Sequence, residues 1–189
     1  MKLKAGLLLL ISCLSAAVLA SDPHVEPINV TGNRFENNIL RIRLAPRTPN
    51  QIAAFYEARG FPSFAIDEVR KVCFITVGLA NKSDMKLYHD LKQWHFTDSK
   101  GPVQRLLRPY WTERWNQLGL AKRFQSTFRW TLLPENLDFY PQEGEGGNLI
   151  FPRTGRSITI QARIRAGEPG KQVIYQITFN NVNCVKDNK

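Results

Sequence analysis

Ser157 to Phe179 constrains the fold more tightly than any other stretch of this chain. Ile158, Ile160, Ala162 and Ile164 alternate with Thr159, Gln161, Arg163 and Arg165. After Gly167-Glu168-Pro169-Gly170 the alternation resumes at Val173, Tyr175, Ile177 and Phe179. A period of two puts all the apolar side chains on one face of a strand. Two such runs joined by a glycine- and proline-rich turn predict a hairpin with one buried and one wet face. That buried face has to be covered, either by a second sheet or by helices.

Further strand signals lie on both sides of Ser99-Lys100-Gly101-Pro102, itself a chain break. Ile39 to Leu44 alternates in part, with Arg41 and Arg43 facing one way and Ile42 and Leu44 the other. Val72 to Ala80 is nearly continuous in apolar β-formers and predicts a buried central strand. One or two strands are expected between Met85 and Thr97, carrying Trp94 and Phe96. Ser126 to Leu133 also predicts a strand, with Phe128, Trp130 and Leu132 alternating against Thr127, Arg129 and Thr131. Glu143-Gly144-Glu145-Gly146-Gly147-Asn148 is expected as a loop, with a strand beginning at Leu149.

Helical signals are fewer. Thr48-Pro49-Asn50-Gln51 has the composition of a capping box with proline at a first-turn position. Ile52, Phe55 and Tyr56 follow as an apolar stripe, and Gly60 is a stop. A second short helix is expected around Pro62 to Val69. A third segment, 103–118, places Trp111, Trp115 and Leu118 at helical spacing, with Pro109 beginning it.

These signals predict a mainly β fold: an antiparallel β-sandwich, immunoglobulin-like in pattern, with an N-terminal helical segment and a helical insertion. An α+β fold with an antiparallel sheet is the alternative. Regular β-α-β alternation is missing, which disfavours a parallel sheet. The expected organisation is a signal peptide over 1–20, an extended leader over 21–37, and one β-rich domain over 38–189 with helical pieces near 49–69 and 103–118.

The first twenty residues bear on compartment. Lys2 and Lys4 precede an apolar run from Ala5 to Leu14, and Val18-Leu19-Ala20 offers a cleavage site. The run is too short to span a bilayer comfortably. Export to the periplasm or the extracellular space is therefore expected, with no transmembrane anchor in the mature chain. Leu10-Ile11-Ser12-Cys13 has the shape of a lipidation box, so a lipoprotein anchored at Cys13 is the minor alternative. An oxidising compartment predicts that Cys73 and Cys184 form a disulfide.

Of the 189 residues, 26 are Lys or Arg and 16 are Asp or Glu, for a net charge of +10. Losing Lys2 and Lys4 with the signal leaves 24 basic against 16 acidic, or +8, with arginine in excess of lysine. Such a surface suits an anionic envelope or extracellular component: a protein, a glycan or a lipid headgroup. Nucleic acid is disfavoured by export. The candidate binding residues lie where arginines interleave with aromatics, the types enriched at binding hot spots: Arg105, Arg108, Trp111, Arg114, Trp115, Arg123 and Arg129. The competing expectation is that Trp111, Trp115, Phe128 and Trp130 are core.

No catalytic, metal or cofactor motif stands out. His89 and His95 lack the spacing of a helical metal pair. Glu143 and Glu145 sit on a glycine-rich stretch poorly suited to rigid acid–base work. The expectation is a non-catalytic binding or envelope-accessory protein with no cofactor and no metal. An exported hydrolase assembled from dispersed residues such as His89, Asp90 and Glu143 is the alternative.

Overall fold

The computed structural model describes residues 24–168 and 171–187. The expected signal segment and Cys13 lie outside the described residues. The hairpin forms as its alternation demands. Strands β10 (Ile158–Ala166) and β11 (Val173–Val182) pair antiparallel, with Ala162 opposite Ile177 and Ile164 opposite Tyr175. Ile158, Ile160, Ala162 and Ile164 are buried, and the polar partners between them are half-buried.

The remaining strands are β1 (His24–Val30), β2 (Arg34–Glu36), β3 (Leu40–Arg47), β4 (Val72–Asn81), β5 (Leu87–Asp90), β6 (His95–Asp98), β7 (Gly101–Pro102), β8 (Asn136–Phe139) and β9 (Gly144–Pro152). Helices are α1 (Pro49–Glu57), α2 (Ser63–Arg70), α3 (Arg108–Gln117) and α4 (Lys122–Trp130). One sheet runs β1-β11-β10-β5-β8, with β6 beside β10 and β7 beside β6. The other runs β2-β3-β4-β9. Among the described residues strands predominate, in antiparallel and mixed sheets with four helices, so the fold is α+β and mainly β.

Two apolar layers hold these elements together. Ile42 and Leu44 of β3, Ile75 and Val77 of β4, and Ile160, Ile164 and Phe179 of the hairpin belong to one cluster shared by both sheets. On the other face of the four-stranded sheet, Phe74 and Ile150 join Tyr56, Trp111, Trp115 and Phe128 of the helices. This explains why Cys73-Phe74-Ile75 reads as continuously apolar: β4 is covered on both faces there. Cys73 is bonded to Cys184, just beyond β11, and the bond ties one sheet to the other.

The structure corrects three sequence expectations. Residues 122–130, predicted in part as a strand, form α4. Phe124 and Phe128 sit one helical turn apart, whereas Trp130 lies about 200° round the helix from Phe128. Phe128 is accordingly buried, while Trp130 is 82% exposed. Second, the expected loop over 143–148 supplies most of β9, with Asn148 opposite Thr76 and Gly146 opposite Gly78. Its glycines reflect close approach rather than a turn: a Cβ on Gly147 would lie 2.4 Å from the Leu133 backbone nitrogen. Third, the described part of the extended leader is sheet-bound. β1 lies parallel against β11, with His24 opposite Val173, and β2 pairs with β3.

Candidate functional site

Helices α3 and α4 are joined through Gly119, whose φ of 68° is the left-handed geometry that ends α3. Pro109 lies in the first turn of α3, where its missing N–H costs nothing. One turn apart, Trp111 and Trp115 stack with ring centroids 5.0 Å apart. Phe128 of α4 packs 4.8 Å from Trp111 and edge-on to Trp115 at 5.2 Å. Tyr56 of α1 stacks on Phe128 from behind, and its hydroxyl pairs with Thr131 Oγ1 at 2.7 Å. Burial pushes that phenol's pKa up. These rings are the core of the helical layer, and both tryptophans are nearly fully buried.

The arginines divide into two kinds. Arg105 makes a bidentate pair with Glu135, at 3.2 and 2.9 Å. Arg114 donates from Nε to Glu68 Oε2 at 2.7 Å, tying α3 to α2. Lys71 also pairs with Glu68. These partners, Arg114 first, hold the Glu68 carboxyl down at about 2. The charges of Arg105 and Arg114 are therefore already answered within the fold.

Arg108 and Arg129 are exposed and make no ion pair among the described residues. With Lys122 they border a cleft of about 360 Å³ between α3 and α4, over a floor that includes Trp111, Trp115 and Phe128. Thr112, Gln125 and Ser126 supply neutral polar groups, and no carboxylate lines the cleft. Lys122 Nζ donates to Asn116 Oδ1 at 2.9 Å, which steadies one cation at the rim. Chemically, the cleft offers cations and hydroxyls around an apolar aromatic base.

Four of the seven candidate residues thus converge: Arg108, Trp111, Trp115 and Arg129. Arg105 and Arg114 are absorbed in ion pairs. Arg123 lies apart, beside Arg59 and over the Phe124 ring at 4.6 Å. Gln125 and Ser126 were missed, although a signal for them existed. Together with Lys122, part of the same arginine- and aromatic-rich stretch, and Arg129 they fall at i, i+3, i+4 and i+7 of α4, a pattern hidden by a strand reading.

The alternative catalytic set does not assemble. His89 is fully buried in the layer between the sheets, beside Trp94 and Phe139, and neither ring nitrogen has a partner among the described residues. Burial drives its pKa down to about 4. Asp90 points the other way and caps the 3₁₀ turn Leu91–Gln93 by accepting from Lys92 N at 2.9 Å. Glu143 accepts from the Tyr140 N–H at 2.9 Å. His95 is exposed on the opposite face of the sheet from His89.

No family model matches the chain, and no curated protein matches it. Among solved structures it is similar to YcdA, a lipoprotein candidate of Bacillus subtilis strain 168, at 10% identity and a TM-score of 0.40, covering 80% of this chain and 39% of that one. It is also similar to the YjhA protein of Bacillus subtilis, at 7% identity and a TM-score of 0.37, covering 80% of this chain and 98% of the other. The chain thus spans well under half of YcdA. Among the described residues no helix is long and apolar enough to cross a membrane.

Proposed function

We propose that this chain is an exported, non-catalytic binding domain that takes an anionic group in the α3–α4 cleft. One observation carries this reading: Arg108, Lys122 and Arg129 surround an aromatic floor, and no carboxylate in the cleft answers them. Like charges held together without a counter-charge repel one another, and an anion relieves that repulsion. Trp111, Trp115, Phe128 and Leu132 add apolar surface beneath the cations. The ligand that fits best is an anionic head on an apolar body, carried by a component of the envelope or the extracellular space.

The scaffold suits that setting. We read the two sheets as the halves of a sandwich, closed by the Cys73–Cys184 bond, which persists in an oxidising compartment.

Calorimetric titration with monomeric decyl phosphate tests the reading, with decyltrimethylammonium as the charge control. The phosphate should bind the folded protein and the cation should not. The variant R108E/K122E/R129E should weaken phosphate binding at least tenfold. Equal binding by that folded variant, or equal binding of the cation, overturns the assignment.

A further inference from the structure

The outer face of the four-stranded sheet carries a second set of unanswered cations. Arg41, Arg43 and Arg47 share one face of β3 with Ala45, opposite the core residues Leu40, Ile42 and Leu44. At about 3.4 Å per residue they span about 20 Å. Across the register, Arg43 lies opposite Gly78 and Arg41 opposite Ala80. On the next strand Gly78 faces Gly146, and Ala80 faces Gly144. Toward β4 and β9, therefore, almost no side chains rise beside these two arginines, while on the other side β2 places Arg34 opposite Arg43 and Glu36 opposite Arg41. A Cβ placed on Gly78 meets nothing within 4 Å, so the space above it is open.

The helix-covered end of this face is a cleft of about 470 Å³. Arg47, Thr76 and Asn148 line its sheet side; Ile52, Phe55 and Trp130 line its helix side. Arg47 Nε donates to Thr76 Oγ1 at 3.0 Å, and that hydroxyl donates to Asn148 Oδ1 at 2.8 Å. The relay fixes the guanidinium, and among the described residues neither its Nη groups nor the Asn148 amide N–H groups have a partner. Among the described residues Arg41, Arg43 and Arg47 form no ion pair, and Glu36, opposite Arg41, is held instead by Arg34 and Lys82.

We propose that this face is a groove for a linear carboxylated saccharide. A fixed arginine fork matches the planar carboxylate. The exposed Trp130 indole offers a flat apolar surface to the C–H face of a sugar ring, with a polar edge left in water. The glycine floor lets a chain approach the backbone closely. A row of arginines, rather than one, answers a ligand whose charge repeats. The groove is separate from the α3–α4 cleft, and neither reading depends on the other.

The test is titration with a galacturonic acid tetramer, its methyl ester and inorganic phosphate, followed by tryptophan emission. Trp130 lines this groove while Trp111 and Trp115 line the α3–α4 cleft, so the part of the quenching that Trp130→Ala removes reports the groove. The acid tetramer should bind, and the uncharged ester should bind at least tenfold more weakly. Arg43→Glu and Arg47→Ala should each weaken the tetramer at least fivefold, and Trp130→Ala should remove the emission change. Arg43 and Trp130 are exposed, so those variants remain informative even if Arg47→Ala fails to fold. Folded R108E/K122E/R129E should bind the tetramer undiminished. Equal binding of the ester, displacement by phosphate alone, unchanged affinity in Arg43→Glu, or tighter binding of a single-stranded oligonucleotide would overturn the proposal.

Discussion

The layer between the sheets and the layer beneath the helices are both apolar, yet they are bounded differently. The first is closed: strands cover it on two sides, a disulfide crosses it, and neither ring nitrogen of its fully buried histidine has a partner among the described residues. The second opens at its flank, where Arg108 and Arg129 stand over Trp111 and Trp115 without an acidic partner. At the open edge the same residue types pack with their buried parts, and on the proposed reading their exposed parts take the ligand. Charge pairing separates the two roles: Arg105 and Arg114 brace the fold because Glu135 and Glu68 meet them.

The disulfide gives the largest way to sharpen that contrast. Cys184→Ala frees a loop of 111 residues and should cost about 2–5 kcal/mol in urea unfolding. Decyl phosphate affinity of the folded fraction should not change, because the cleft lies in the other layer. A parallel loss of affinity would show that the two layers are not independent.

His89 comes next. Its pKa of about 4 in the fold lies below the ordinary 6.5, so the unfolded chain takes up a proton first as pH falls. Stability should therefore drop between about pH 6.5 and pH 4, by on the order of 2–3 kcal/mol. His89→Leu should flatten that limb and be the more stable form at pH 4.5, as read by denaturant midpoints across pH. An unchanged limb would place the cost elsewhere.

Glu68 should show a smaller effect. Its carboxyl is held near 2 by Arg114 and Lys71, so its contribution is whole above about pH 4.5 and disappears as pH falls toward 2. Glu68→Gln should cost about 1–2 kcal/mol at pH 7, and the gap to wild type should close over that acid range. A gap independent of pH would mean that packing, and not charge, joins α2 to α3.

What was legible in the sequence follows the range of the interactions involved. The β10–β11 hairpin and the α1 cap are local. In the cap, Thr48 Oγ1 accepts from Gln51 N at 3.2 Å, and Gln51 Oε1 accepts from Thr48 N at 3.1 Å, the reciprocal pair its spacing predicts. The cysteine pair needed only an even count and a compartment. In and just after α4, Phe128, Trp130 and Leu132 satisfy a period of two by coincidence, and tertiary packing of Phe128 against Tyr56 and Trp111 selects the helix. β9 was obscured because its glycines, required by a neighbouring backbone, resemble turn chemistry. The roles of Arg105 and Arg114 depend on acids 30 and 46 residues away, which no local pattern reveals.

The central claim is that Arg108, Lys122 and Arg129 are held for a ligand and contribute nothing needed by the fold. Thermal unfolding of wild type and of R108E/K122E/R129E, each with and without decyl phosphate, tests it directly. Without ligand the variant should melt close to wild type, because the one described contact it gives up is the exposed Lys122 Nζ–Asn116 Oδ1 hydrogen bond. With ligand only wild type should rise, its Tm increasing with ligand concentration. A variant that melts well below wild type without ligand, or that rises equally with it, would contradict the account.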